Sequence, residues 1–136
     1  MAYYVIKQGI PPNTPQGNPV IVSIEVQSPI VTRKEVLFPL NAAMLCGIQL
    51  CDRQGVFWPS PGSPSQWITG DNDKSESTSS VILSGSPYFI IARLYNEDNT
   101  FPRTPEIHIE VEDTSIPILL QQLSTTVGEA LRRLAK

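Results

Sequence analysis

The chain has 136 residues, 40% of them hydrophobic and 17% charged, with a net charge of −3. That length supports one hydrophobic core, and the composition excludes a disordered acidic or basic protein. With 10 Lys+Arg against 13 Asp+Glu there is no basic stripe to neutralise phosphates, which argues against a nucleic-acid surface.

No run of about 18 apolar residues occurs, so no membrane-spanning helix is expected. Lys7 interrupts the first apolar run, so no signal peptide is expected, and the chain reads as made in a cytoplasm without a cleaved leader. Thirteen prolines and eight glycines, spread along the chain, cut it into short segments. Breaks that frequent suit short strands and oppose long helices.

Residues 2–10 read as a first edge strand, with Tyr3, Val5 and Lys7 on one side. The following stretch, 11–19, is proline-rich and forms either a tether across a neighbouring subunit or a solvated loop. Residues 20–27 alternate cleanly, with Val20, Val22, Ile24 and Val26 on one face. Residues 30–39 form another strand, and the charges in its middle suggest an edge. In 44–51, Met44, Cys46, Ile48 and Leu50 share a face, and Asp52-Arg53-Gln54-Gly55 reads as a hairpin turn leading back through Val56-Phe57-Trp58.

The break at 59–64 is followed by a short strand carrying Trp67, and then by a polar loop over 70–80. A short strand at 81–83 precedes 88–95, an aromatic and β-branched run with one charge, Arg93. Such a run suits a central strand whose second face is also partly covered. After the acidic corner at 96–100, residues 107–111 alternate strictly, the signature of a half-buried strand. The runs at 81–95 and 107–111 read as a central pair among which the upstream strands sit.

The tail differs. Residues 118–136 contain no proline, and Ile116, Leu120, Leu123, Val127, Ala130 and Leu134 recur at 4, 3, 4, 3 and 4 residues. That heptad seam predicts an amphipathic helix that either covers the domain's own sheet or zips against another chain. The expected organisation is therefore an N-terminal strand and arm (1–19), a β-sandwich domain (20–112) and a helical tail (113–136). The expected fold is an all-β, jelly-roll-like sandwich of seven or eight strands with a C-terminal amphipathic helix.

The chain shows little that suggests chemistry. His108, the one histidine, falls on the side of its strand with Glu106 and Glu110, facing solvent. Ser84-Gly85-Ser86 does not form a nucleophile elbow, so a small hydrolase using His108 ranks third among the readings. The oxygens at Asp71, Asp73 and Ser75 superficially resemble a calcium loop, but the turn glycine and closing glutamate are missing at the required offsets. No catalytic residue, metal site or cofactor is expected. Cys46 and Cys51 would lie roughly 16 Å apart on one strand, too far to bridge, and are read as buried free thiols. Trp58 and Trp67 flank the proline break as core or interface anchors, or as possible stacking surfaces for a sugar.

One resemblance adds to this reading. Phe38-Pro39, Trp58-Pro59, the run Trp67-Ile68-Thr69-Gly70-Asp71, Pro87-Tyr88, and residues 95–104 follow one another in an order that resembles small jelly-roll proteins of tailed phages. Those proteins decorate or cement the outside of the capsid. The resemblance spans about residues 36–111, and the helical tail departs from it. It implies a non-enzymatic virion component on the capsid surface, a homo-oligomer with a trimer favoured, and the major capsid protein as partner. From charge and hydropathy, neither nucleic acid nor a membrane is expected as a partner. The alternative is a carbohydrate- or receptor-binding sandwich using Trp58 and Trp67.

Overall fold

The computed structural model describes residues 2–112, and every regular element within them is a β-strand. In chain order these are β1 (Ala2–Lys7), β2 (Val20–Val26), β3 (Ile30–Leu37), β4 (Cys46–Asp52), β5 (Gly55–Trp58), β6 (Ile68–Thr69), β7 (Lys74–Ser77), β8 (Val81–Ile82), β9 (Tyr88–Asn96) and β10 (Glu106–Val111). They build two antiparallel five-stranded sheets. One runs β1-β10-β3-β7, with β8 also on β3; the other runs β2-β9-β4-β5, with β6 also on β4. Both sheets contribute to one apolar cluster, so the described residues form an all-β sandwich. The helix expected over the tail, with its seam of Ile116, Leu120, Leu123, Val127, Ala130 and Leu134, lies outside the described residues.

Period-2 alternation decides which side chains enter the core. On β10, Ile107, Ile109 and Val111 are fully buried, while Glu106, His108 and Glu110 face outward. Each buried aliphatic contributes about 1.5–3 kcal/mol relative to exposure. From the opposite sheet, Ile48 and Leu50 of β4 and Ile90, Ala92 and Leu94 of β9 meet them. β2 follows its expected face, with Val26 buried and Ile21 left 62% exposed.

The structure corrects several expectations. The two organising runs do not pair: β9 lies between β2 and β4, and β10 lies between β1 and β3, in the other sheet. β3 is interior, flanked by β10 on one side and by β7 and β8 on the other, despite its charges. Arg33 and Glu35 face outward, while Lys34 turns inward and reaches the Ser79 carbonyl. The polar stretch 70–80 contains a strand, β7, whose Lys74–Ser77 segment is held by pairing with Lys34–Leu37 of β3 and has no apolar pattern of its own. Met44 is not on the β4 face. It sits in the left-handed region (φ 62°) in the turn before β4 and is exposed.

The proline-rich stretch lies against its own sandwich. Ile10 is fully buried and exchanges backbone hydrogen bonds with Arg103 at 2.8 and 3.1 Å. The amides of Asn13 and Thr14 donate to the carbonyls of Asp98 and Asn96 at 2.9 and 2.8 Å.

Candidate functional site

Three features gather the polar and aromatic side chains. The first is the corner between β9 and β10. Asn96 is fully buried, and its Nδ2 donates to the carbonyls of Ile10 (3.2 Å) and Phe101 (3.0 Å) while its Oδ1 accepts from the Asp98 amide (3.0 Å). Asp98 Oδ1 accepts from the amides of Thr100 and Phe101, and Oδ2 accepts from Arg103 Nη2 at 2.8 Å. The Thr100 and Phe101 amides, and then Arg103, hold the Asp98 carboxyl below its ordinary value. These bonds use the side chains of Asn96 and Asp98 to tie together the backbone at Ile10, Asp98, Thr100 and Phe101, with Arg103 paired to Asp98, so the corner is a structural clasp.

The second feature is the outer face of the β1-β10-β3-β7 sheet, where cross-strand rows set Val5 beside His108, His108 beside Glu35, and Glu35 beside Glu76. Arg33 prevents two facing carboxylates from repelling each other, donating from Nε to Glu76 at 3.0 Å and from Nη2 to Glu35 at 2.8 Å. Both ring nitrogens of His108 are engaged, Nδ1 with the Tyr3 hydroxyl and Nε2 with Glu106 Oε2 at 3.2 Å. Lys7 lies 3.1 Å from Glu106 Oε1. Lys7 and then His108 hold the Glu106 carboxyl below its ordinary range. His108 thus faces outward as expected, half-covered by Tyr3. Nothing local to either residue signals the Tyr3 contact, which depends on pairing across 105 positions. Among the described residues no group of three or more His, Cys, Asp or Glu side chains is placed to hold a metal ion.

The third feature is the outer face of the other sheet. Gln49 is fully buried there: its Nε2 donates to the carbonyls of Pro64 (2.6 Å) and Gln66 (2.7 Å), pinning the proline loop over β4. Arg93 donates to Gln49 Oε1 at 3.1 Å, and its guanidinium lies 5.5 Å from the centre of the Trp67 ring. Trp67 in turn meets Tyr95 edge-on at 4.8 Å. The structure therefore separates the two tryptophans. Trp58 is 8% exposed within the core cluster and offers no free ring face for a sugar, because β5 turns it inward opposite Leu50. Trp67 stays half-buried outside, already engaged by Tyr95 and Arg93.

Neither cysteine forms a disulfide. Cys46 faces the core, and burial pushes its thiol up to about 11. Cys51, also buried, is likewise raised by burial. A thiol in such surroundings is a poor nucleophile. A scan against protein-family models and searches of curated proteins and of solved structures each returned no match.

Proposed function

We propose that this chain is a non-enzymatic structural protein of a virion, an oligomeric capsid decoration or cement protein that binds the major capsid shell. The observation that carries this is the strand order. β1, β10, β3 and β7/β8 lie in one sheet, and β2, β9, β4 and β5/β6 lie in the other. Counting β5/β6 and β7/β8 as one broken strand each gives eight strands, and the chain crosses between sheets in the manner of two interlocked Greek keys. We read that order as a jelly roll, an arrangement that serves in viral capsid domains, lectins and cupins, and it supports the proposal in that capacity.

Within that group, the aliphatic filling of the space between the sheets favours a structural role. Val36, Ile48, Leu50, Ile90, Leu94, Ile107 and Ile109 occupy that space. The side chains left outside are ones that grip surfaces: charged rows on one face, and Trp67, Phe89 and Ile91 on the other. Several contacts per particle, each modest, combine into tight attachment when copies are held together. The family resemblance brings a trimer with it, and a location on the capsid surface.

The test is co-sedimentation of the full chain with capsids of the virus that carries its gene. Saturable binding at a fixed number of copies per capsid is the expected result. Absence of binding, together with glycan-array binding that disappears in Trp67→Ala, would replace this reading with the sugar-binding one.

A further inference from the structure

The two sides of the sandwich are finished differently. On one side the sheet edges are β7 and β8 and, in the other sheet, β5 and β6: four, two, four and two residues long. β7 also carries Lys74 and Glu76. Short, charged and interrupted edges resist pairing with other chains.

On the other side the edges are β1 and β2, six and seven residues long, with no proline and no break in register. These two strands flank one side of the molecule, since the Tyr4 hydroxyl of β1 accepts from the Gln27 amide at the end of β2. β1 turns Tyr3 and Val5 outward at 55% and 52% exposure, and its single charge, Lys7, comes at its last residue. β10 takes one row of its backbone groups, and among the described strands none takes the other row.

We propose that this edge joins two copies of the chain, β1 pairing antiparallel with β1 of a second copy across a twofold axis at Val5. This rests on the reading above that the chain self-associates, assigns the contact an edge, and puts a twofold pair in place of the threefold assembly. The occupant follows from charge and shape. Centring the pair on Val5 sets Val5 against its equivalent, Tyr4 against Ile6, and Lys7 against Tyr3 of the second copy. Tyr3 has Glu110 as its neighbour on the other side. Each lysine therefore meets an aromatic ring with a carboxylate behind it, and the twofold axis repeats the contact. The β1-β10-β3-β7 sheet then runs unbroken through both copies. A twofold pair also differs from the threefold assembly that the family resemblance implies, so mass alone separates the two.

Light scattering on the full chain is expected to give twice the 15.0 kDa chain mass. Val5→Cys is expected to form a disulfide-linked dimer on mild oxidation, since facing Cβ atoms on an antiparallel pair lie about 5 Å apart. Tyr3→Cys is expected not to, because its two copies lie roughly 14 Å apart along the strands. Val5→Lys, at an exposed position, sets two ammonium groups together and is expected to give a monomer with an unchanged circular dichroism spectrum. A monomeric wild type, a threefold mass, cross-linking at Tyr3→Cys in place of Val5→Cys, or an unchanged mass for Val5→Lys would each overturn the proposal. Capsid binding measured on the same variants keeps the readings apart: an intact dimer that binds no capsid removes the proposed function and leaves the edge contact standing.

Discussion

Lys34, 1% exposed, donates from Nζ to the backbone carbonyl of Ser79 at 2.6 Å. It points inward from β3, in register with the fully buried Ile109 and with Ser77 of β7. A lysine amine has three donors, and one carbonyl is a meagre replacement for water. What the contact secures is local: it holds the turn between β7 and β8, where the edge of the sheet is broken.

Burial lowers the Lys34 pKa from its ordinary 10.5. A depressed lysine means that the unfolded chain binds more protons than the folded one between the folded value and 10.5. Stability should therefore rise with pH through that window, as the folded amine sheds its charge. Lys34→Met keeps the volume and removes the charge, and is expected to stabilise the protein by about 1 kcal/mol at pH 7. The gain should shrink as pH approaches 10.5. Urea denaturation of both proteins at pH 7 and pH 10 checks the sign; destabilisation at pH 7 would mean that the Ser79 bond outweighs desolvation.

The Asn96 clasp makes the opposite prediction. Its side chain satisfies two carbonyls and one amide in a site closed to water. Asn96→Ala leaves those groups without partners and is expected to cost about 3 kcal/mol, read as a lowered denaturation midpoint with unchanged slope. Hydrogen exchange at Thr14, whose amide donates to the Asn96 carbonyl, should accelerate along with that of the following loop.

Asp98 gives this corner its pH dependence. Its folded pKa lies below the ordinary 3.8, so its contribution is present above 3.8 and lost as pH falls through the folded value. The stability advantage of the wild type over Asp98→Asn is therefore expected to be full at pH 6 and to shrink below pH 4. Thermal melts across that range measure it. A constant difference would assign the clasp to hydrogen bonding that does not need the charge.

Local pattern carried much of the fold. The alternation in β2 and β10 correctly placed Val26, Ile107 and Ile109 inside, and Asp52-Arg53-Gln54-Gly55 announced its hairpin because the aspartate accepts from the amides of Gln54 and Gly55. Non-local facts were hidden. Lys-Ser-Glu-Ser at 74–77 has no β pattern, and only the ladder offered by β3 makes it a strand. Arg33-Lys34-Glu35 looks like a solvent-facing charge run, and nothing local shows that its middle member turns inward. The outer-face row was half legible: period 2 puts His108 with Glu106 and Glu110, but Tyr3 joins it only through the register of β1. The burial of Trp58 beside a half-buried Trp67 likewise depends on where β5 pairs.

The cysteines should be silent in the native state. Cys46 and Cys51 are buried with raised pKa values, so iodoacetamide at pH 8 is expected to label neither, and to label both in 6 M guanidinium. Mass spectrometry counts the adducts. Rapid native labelling at Cys51 would show that the β4–β5 hairpin opens readily.

Gly47 supports the aromatic ledge from beneath. It pairs with Tyr95 across β4 and β9, and a Cβ at position 47 would lie 2.0 Å from Tyr95 Cε1 and 2.4 Å from Cζ. Tyr95 therefore lies flat over the glycine, and Trp67 butts against it edge-on. Gly47→Ala must drive the tyrosine ring off the sheet, which loosens Trp67 and, behind it, the guanidinium of Arg93. The expected cost is about 1–3 kcal/mol, the usual range for overpacking a filled site. Tryptophan emission should shift to longer wavelength as Trp67 gains water, while the core Trp58 keeps its environment. The double variant Gly47→Ala with Tyr95→Leu separates the causes. If the ring clash is the whole penalty, the alanine costs far less once the ring is gone; if it costs the same, the strand itself requires glycine.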